Sequence, residues 1–188
     1  MKLAILGNYA TQFLYKPLLK RLKAEFQDVE VYHAEFNTID FELIDNQSNL
    51  YQFQPDFIVW HESTLALRDN FYQSNLADRQ LFADHYIGRL QQYLQNIATH
   101  LPKAKVLFPN HALNFYDNVF GNFGSKVLGA WDFQVKKINY LLNELALQQP
   151  NFYPSESCPT KVEEVITHYP MVVNAELHST PNYHKWLS

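Results

Sequence analysis

The chain opens with an unbroken apolar run, Leu3 to Leu6, that stops at Gly7 and gives way to Asn8, Tyr9, Ala10, Thr11 and Gln12. Such a run is the pattern of a parallel strand buried on both faces. Leu14, Leu18, Leu22 and Phe26 then recur every four residues and predict a helix over 11–26, with Pro17 near its start. Residues 29–33 alternate and read as a second strand, and 36–50 as an irregular or short-helical connection. The run 57–60 is the third strand, and it ends on His61, Glu62, Ser63 and Thr64. Phe82, Tyr86, Leu90, Leu94, Ile97 and Leu101 keep a helical period through a segment placed at 76–100, where Gly88 is expected to admit a close neighbour. The fourth strand, 105–108, ends on Pro109, Asn110 and His111. A loop over 114–124 follows, and Ser125 is expected to cap a helix that runs to Gln148. A fifth strand starts near Phe152 and is expected to be cut short by Pro154.

Strands that alternate with helices imply an α/β fold: a three-layer α/β/α arrangement on a parallel, flavodoxin-like sheet of strand order 2-1-3-4-5. Residues 1–153 make up this domain. Residues 154–188, broken by Pro154, Pro159, Pro170 and Pro181, form an irregular C-terminal segment on or beside it, with a short strand at 171–173. The strand order brings the ends of strands one, three and four side by side, where open α/β sheets bind ligands. Asn8, Tyr9, Glu62, Asn110, His111 and Asn122 are therefore the candidate substrate-binding residues. Thr11 and His61, with His178 near the C-terminus, are the candidate catalytic ones.

Composition narrows the chemistry. A net charge of -4 leaves no basic footprint, so no nucleic-acid partner is expected. No apolar run reaches the ~18 residues of a membrane span. The first six residues are too short for a signal peptide, and with the single Cys158 the protein is expected in the cytoplasm. Glycine-rich phosphate loops are absent, and the eight histidines form no pair at metal-binding spacing, so neither a cofactor nor a metal is expected. Phe115, Tyr116, Phe120 and Phe123 crowd one loop and suggest a lid or a partner surface.

Gly7-Asn8-Tyr9-Ala10-Thr11 resembles the first block of the SGNH (GDSL-like) hydrolases, Gly-Asp-Ser-x-Thr, whose serine is the nucleophile. Tyr9 stands at the serine position and Asn8 at the aspartate. The third block, Gly-x-Asn-Asp, is replaced by His61-Glu62-Ser63-Thr64, and the Asp-x-x-His block is met only by Ala175-Glu-Leu-His178 and Pro181-Asn-Tyr-His184, which lack the aspartate. A wider resemblance is to the N-terminal, SGNH-like domain of the FkbH-like proteins. It rests on residues 3–14, on Ser48 to Phe57, on Asn118-Val-Phe-Gly-Asn-Phe-Gly-Ser-Lys126 and on the helix with Gln134-Val-Lys-Lys-Ile-Asn-Tyr-Leu-Leu142.

That resemblance implies a recognition domain joined to a haloacid-dehalogenase (HAD) phosphatase-like domain, which loads glyceryl phosphate on an acyl-carrier protein. The HAD signature Asp-x-Asp-x-Thr is absent from these residues. The expectation is an N-terminal piece of a longer protein or a free-standing relative, with the HAD-type domain in cis or in trans and an acyl-carrier protein as partners. The expected function is SGNH-like recognition of a substrate or carrier protein, without the serine nucleophile. The alternative is a divergent esterase or acyltransferase that uses Thr11 or Ser63 with His61, His111 or His178 as base.

Overall fold

The computed structural model describes residues 1–113 and 119–155. In chain order these form β1 (Lys2–Gly7), α1 (Gln12–Glu25), β2 (Glu30–His33), α2 (Ile39–Ile44), α3 (Asn49–Phe53), β3 (Phe57–His61), α4 (Thr64–Gln73), α5 (Phe82–His100), β4 (Lys105–Pro109), α6 (Trp131–Gln148) and β5 (Phe152–Ser155). The sheet has five strands in the order β2-β1-β3-β4-β5, and every pairing is parallel.

Alternation along the strands divides the core into two layers. Ala4, Leu6, Ile58, Trp60, Val106, Phe108 and Phe152 face one way and bury against α2 to α6. Leu3 and Ile5 face the other way, with Val31, Phe57 and Val59, and take Leu14, Leu18 and Leu22 of α1. Right-handed crossovers explain the split. The chain moves one way from β1 to β2 and the opposite way from β2 through β5, so α1 alone lies on the second face among the described residues.

Several details differ from the sequence expectation. The ten-residue α4 is not visible in the periodicity because it buries only Leu67 and Phe71. Helix α5 starts at Phe82 rather than near 76, after a 3₁₀ turn at Arg79–Leu81. Gly88 has nothing within 4 Å of where a Cβ would stand, so it admits no close neighbour. Ser125 caps no α-helix: Gly121–Lys126 is a 3₁₀ segment and α6 begins at Trp131. The start of α5 and the turn before α6 are instead held by the fully buried Gln134. Its amide accepts from Ala83 N (2.8 Å) and donates to the carbonyls of Leu128 (2.6 Å) and Gln80 (3.2 Å). Pro154 does not end β5, whose edge position tolerates it beside Phe108. Pro17 lies past the first turn of α1, so that helix forgoes one backbone hydrogen bond. The strand expected at 171–173 and the segment beyond Ser155 lie outside the described residues.

Gly7 carries the turn out of β1. A Cβ there would collide with the Thr11 methyl group and approach the His61 carbonyl. Gly7→Ala is therefore expected to cost about 1–3 kcal/mol. Adding Thr11→Ser, which deletes the obstructing methyl, should recover most of it in a double-mutant cycle followed by urea unfolding. Additive losses would show that the clash is not the constraint.

Candidate functional site

The carboxyl ends of β1 and β3 meet in register, Gly7 opposite His61. Asn8 joins the two tips: its Oδ1 accepts from Ser63 N at 2.7 Å. Strand alternation sends the next two side chains of β3 to opposite sides. His61 stands against Tyr9, with ring centroids 4.9 Å apart. Glu62 continues the face of Trp60 and enters the layer of α5.

Glu62 is only 6% exposed, and its carboxylate is held by three donors: Trp60 Nε1 at 3.1 Å, Tyr86 Oη at 3.0 Å and Arg89 Nη2 at 2.8 Å. A buried carboxylate costs several kcal/mol unless it is paired and hydrogen-bonded. Burial pushes the Glu62 carboxyl above its ordinary range, while Arg89, Tyr86 and Trp60 pull it back down. Tyr86, Arg89 and Tyr93 share one stripe of α5, and the Arg89 guanidinium lies over both rings at 5.2 and 5.8 Å. Asp40 of α2 completes the outer end. It accepts from Tyr93 Oη at 2.9 Å and pairs with Arg89 at 3.6 Å.

His111 is the inner partner, 3% exposed. Its Nε2 lies 2.8 Å from Tyr86 Oη and its Nδ1 lies 3.3 Å from Thr64 Oγ1. The Asn139 side chain clamps its backbone, accepting from His111 N at 3.0 Å and donating to its carbonyl at 2.8 Å. Burial first, and then the Arg89 charge, lower the His111 imidazole to about 3, so it is neutral at ordinary pH.

The remaining hydroxyls of the tips are engaged elsewhere. Thr11, 4% exposed, sits at the N-cap of α1, and its Oγ1 is 2.6 Å from His33 Nε2 at the end of β2. His33 stacks on Tyr15, and burial lowers its imidazole below the ordinary value. Ser63 caps α4 by accepting from Ala66 N. Tyr9, at the nucleophile position of the resembled block, is 2% exposed. The Asn110 backbone N donates to the Ser155 carbonyl at 2.8 Å.

The structure thus brings Asn8, Tyr9, His61, Glu62 and His111 to adjoining tips. Of these, Glu62 and His111 serve an internal network, each of their side-chain polar atoms being taken by a neighbour. Asn122 lies exposed on the 3₁₀ segment and joins none of these contacts. His178, Phe115 and Tyr116 lie outside the described residues. Sequence reasoning missed Tyr86, Arg89 and His33, and passed over Thr64. Polar heads at 86, 89 and 93 on the buried side of the helix after a Glu-bearing tip were the signal available.

With that geometry in view, the family model of the FkbH N-terminal domain matches residues 2–169. Among solved structures, the N-terminal part of the protein BF1531 from Bacteroides fragilis, which contains a phosphatase domain and was complexed with Mg, superposes with a TM-score of 0.87 at 22% identity. It is matched over 100% of this chain and 49% of that one, so the chain spans about half its length. A protein described as a GDSL-like lipase from Parabacteroides merdae gives a TM-score of 0.57 at 12% identity, over 99% of this chain and 92% of that one. The acetyl xylan esterase AlAXEase gives 0.57 at 13%, over 100% and 96%. No curated protein matches the chain. Among the described residues no helix is long and apolar enough to cross a membrane. The five parallel strands in 2-1-3-4-5 order are the fold of these esterases and lipases, and the chain belongs to the family of FkbH N-terminal domains.

Proposed function

We propose that this domain recognises a substrate or a carrier protein and does not cleave it, and that it acts in the cytoplasm with a HAD-type phosphatase or glyceryl transferase. The carrying observation is the tip of β1, where a buried Tyr9 packs on His61 in the place of a nucleophilic serine. Tyrosine, with an ordinary pKa of about 10, is a poor acyl nucleophile in the place of a serine. The partner half of the reading is supported by the phosphatase domain carried by the Bacteroides fragilis structure, of which this chain spans 49%.

Electrostatics supports the same reading. Thr64, His111, Tyr86 and Glu62 follow one another as hydroxyl, imidazole and acid do in a hydrolase triad. A working triad acid is negative and stabilises the imidazolium that forms. Here Arg89 pairs with Glu62, and burial first, then the Arg89 charge, lower His111 to about 3. Against an ordinary histidine near 6.5, proton transfer to such a base costs roughly 5 kcal/mol more, over a thousandfold in rate.

A second reading, a divergent esterase or acyltransferase, is favoured by the 2.6 Å contact between Thr11 Oγ1 and His33 Nε2. Ester and thioester hydrolysis separates the two. The chain is expected to show no turnover of p-nitrophenyl acetate or acetyl thioesters above buffer, with Thr11→Val and Ser63→Ala unchanged. Turnover abolished by either substitution would establish the second reading.

The buried neutral His111 also predicts a pH dependence. Its folded pKa lies below its unfolded value near 6.5, so on acidification the unfolded chain takes up a proton that the native state refuses. Stability is full above about 6.5 and falls towards pH 3. Between pH 7 and pH 5 this loss amounts to about 2 kcal/mol. Urea midpoints at both pH values should show that extra loss in the parent and not in His111→Gln. Equal losses would mean that His111 is protonated in the native state.

A further inference from the structure

Hydrogen bookkeeping along the buried chain assigns a role to its exposed end. Glu62 receives three donors on two oxygens, and two of them, Trp60 Nε1–H and the Arg89 guanidinium, can only donate. The carboxylate form fits this cage, and Tyr86 spends its single proton on it. The same Tyr86 oxygen lies 2.8 Å from His111 Nε2, so that nitrogen carries the imidazole hydrogen and donates it. His111 Nδ1 is then a bare lone pair, and its neighbour at 3.3 Å, Thr64 Oγ1, donates to it.

Thr64 therefore turns its own proton inward and keeps its oxygen lone pairs. Unlike Thr11 and Ser63, which are buried, Thr64 is half-exposed at the first position of α4. Beside it, Asn8 has committed its Oδ1 to Ser63 N, which leaves the Nδ2 hydrogens as donors at the same tip.

We propose that Thr64 contacts the ligand of this crevice as a hydrogen-bond acceptor, with Asn8 as the companion donor. The ligand group is then one that carries a donor hydrogen beside an acceptor oxygen, a secondary amide or an alcohol. Tyr86 is the positioning residue, acting on Thr64 through the tautomer of His111. The proposal rests on the recognition reading above and deepens it by naming the class of group recognised. It adds no covalent step.

Long-range ¹H–¹⁵N correlation spectra of the full chain test the tautomer directly. His111 is expected as the neutral Nε2–H form at pH 7, with Tyr86→Phe shifting it towards a mixture of both forms. An Nδ1–H tautomer in the parent overturns the proposal. Three probes then test the contact. N-methylacetamide and 1,2-propanediol each carry a donor and an acceptor, whereas N,N-dimethylacetamide accepts only. A saturable shift of the His111 ring nitrogens with either of the first two, absent with the third and weakened about fivefold or more by the isosteric Thr64→Val, supports it. Which of the two binds names the source, amide or alcohol. An equal response to N,N-dimethylacetamide, a response to none, or one that survives Thr64→Val overturns it. Because the tautomer and the probe shifts do not depend on turnover, a positive ester assay would sink the recognition reading while leaving these results to be judged separately.

Discussion

The ion pair between Glu62 and Arg89, 2.8 Å long and placed where a strand tip enters the helical layer, is the constraint on which the rest of this end of the molecule depends. A carboxylate with so little solvent is tolerable only when its partners are fixed, and removal of one member of such a pair commonly costs 3–5 kcal/mol. Trp60, Tyr86 and Arg89 meet that requirement from two elements, β3 and α5. Asp40 and Tyr93 extend the link to α2. The same pair ties α5 to the end of β3. The tip of β3 is held against the tip of β1 by Asn8.

The chemistry of the crevice follows from this arrangement. The fold is shared with a GDSL-like lipase and an acetyl xylan esterase, and hydroxyl, histidine and carboxylate lie in sequence as they do in a hydrolase triad. The differences are the burial of the histidine and, after it, the cation. Arg89 makes the carboxylate tolerable in the interior and removes the negative charge that a base histidine needs. Burial chiefly, and Arg89 after it, weaken the base, and the same Arg89 stabilises the tip. An arrangement of this kind fixes hydrogen-bond directions well, which suits recognition, and moves protons poorly, which does not suit acyl transfer.

Much of the fold was legible because it is written in local periods. The apolar runs at Leu3–Leu6, Phe57–Trp60 and Val106–Phe108 mark strands, the first buried on both faces and the last with Leu107 left exposed, and the four-residue spacing from Leu14 to Leu22 marks the helix on the second face. Elements with few buried residues were not legible: α4 hides only Leu67 and Phe71, and the start of α5 is held by the distant Gln134 rather than by a local cap. The tips were also legible, since polar residues at the carboxyl ends of parallel strands converge by topology. Their roles were not. Glu62 and His111 look like ligand contacts in the sequence, and only the position of Tyr86 and Arg89 on the buried side of α5 turns them into interior groups. Thr11 looks like a free hydroxyl until β2 brings His33 beside it.

The central claim is that no hydroxyl in this crevice is activated. A fluorophosphonate probe, which captures activated serine and threonine hydroxyls covalently, tests it most directly when read by intact mass and peptide mapping of the native chain. The account predicts an unmodified mass under conditions that label a serine esterase of the same fold to completion. A single adduct mapped to Thr11, Ser63 or Thr64 would contradict it.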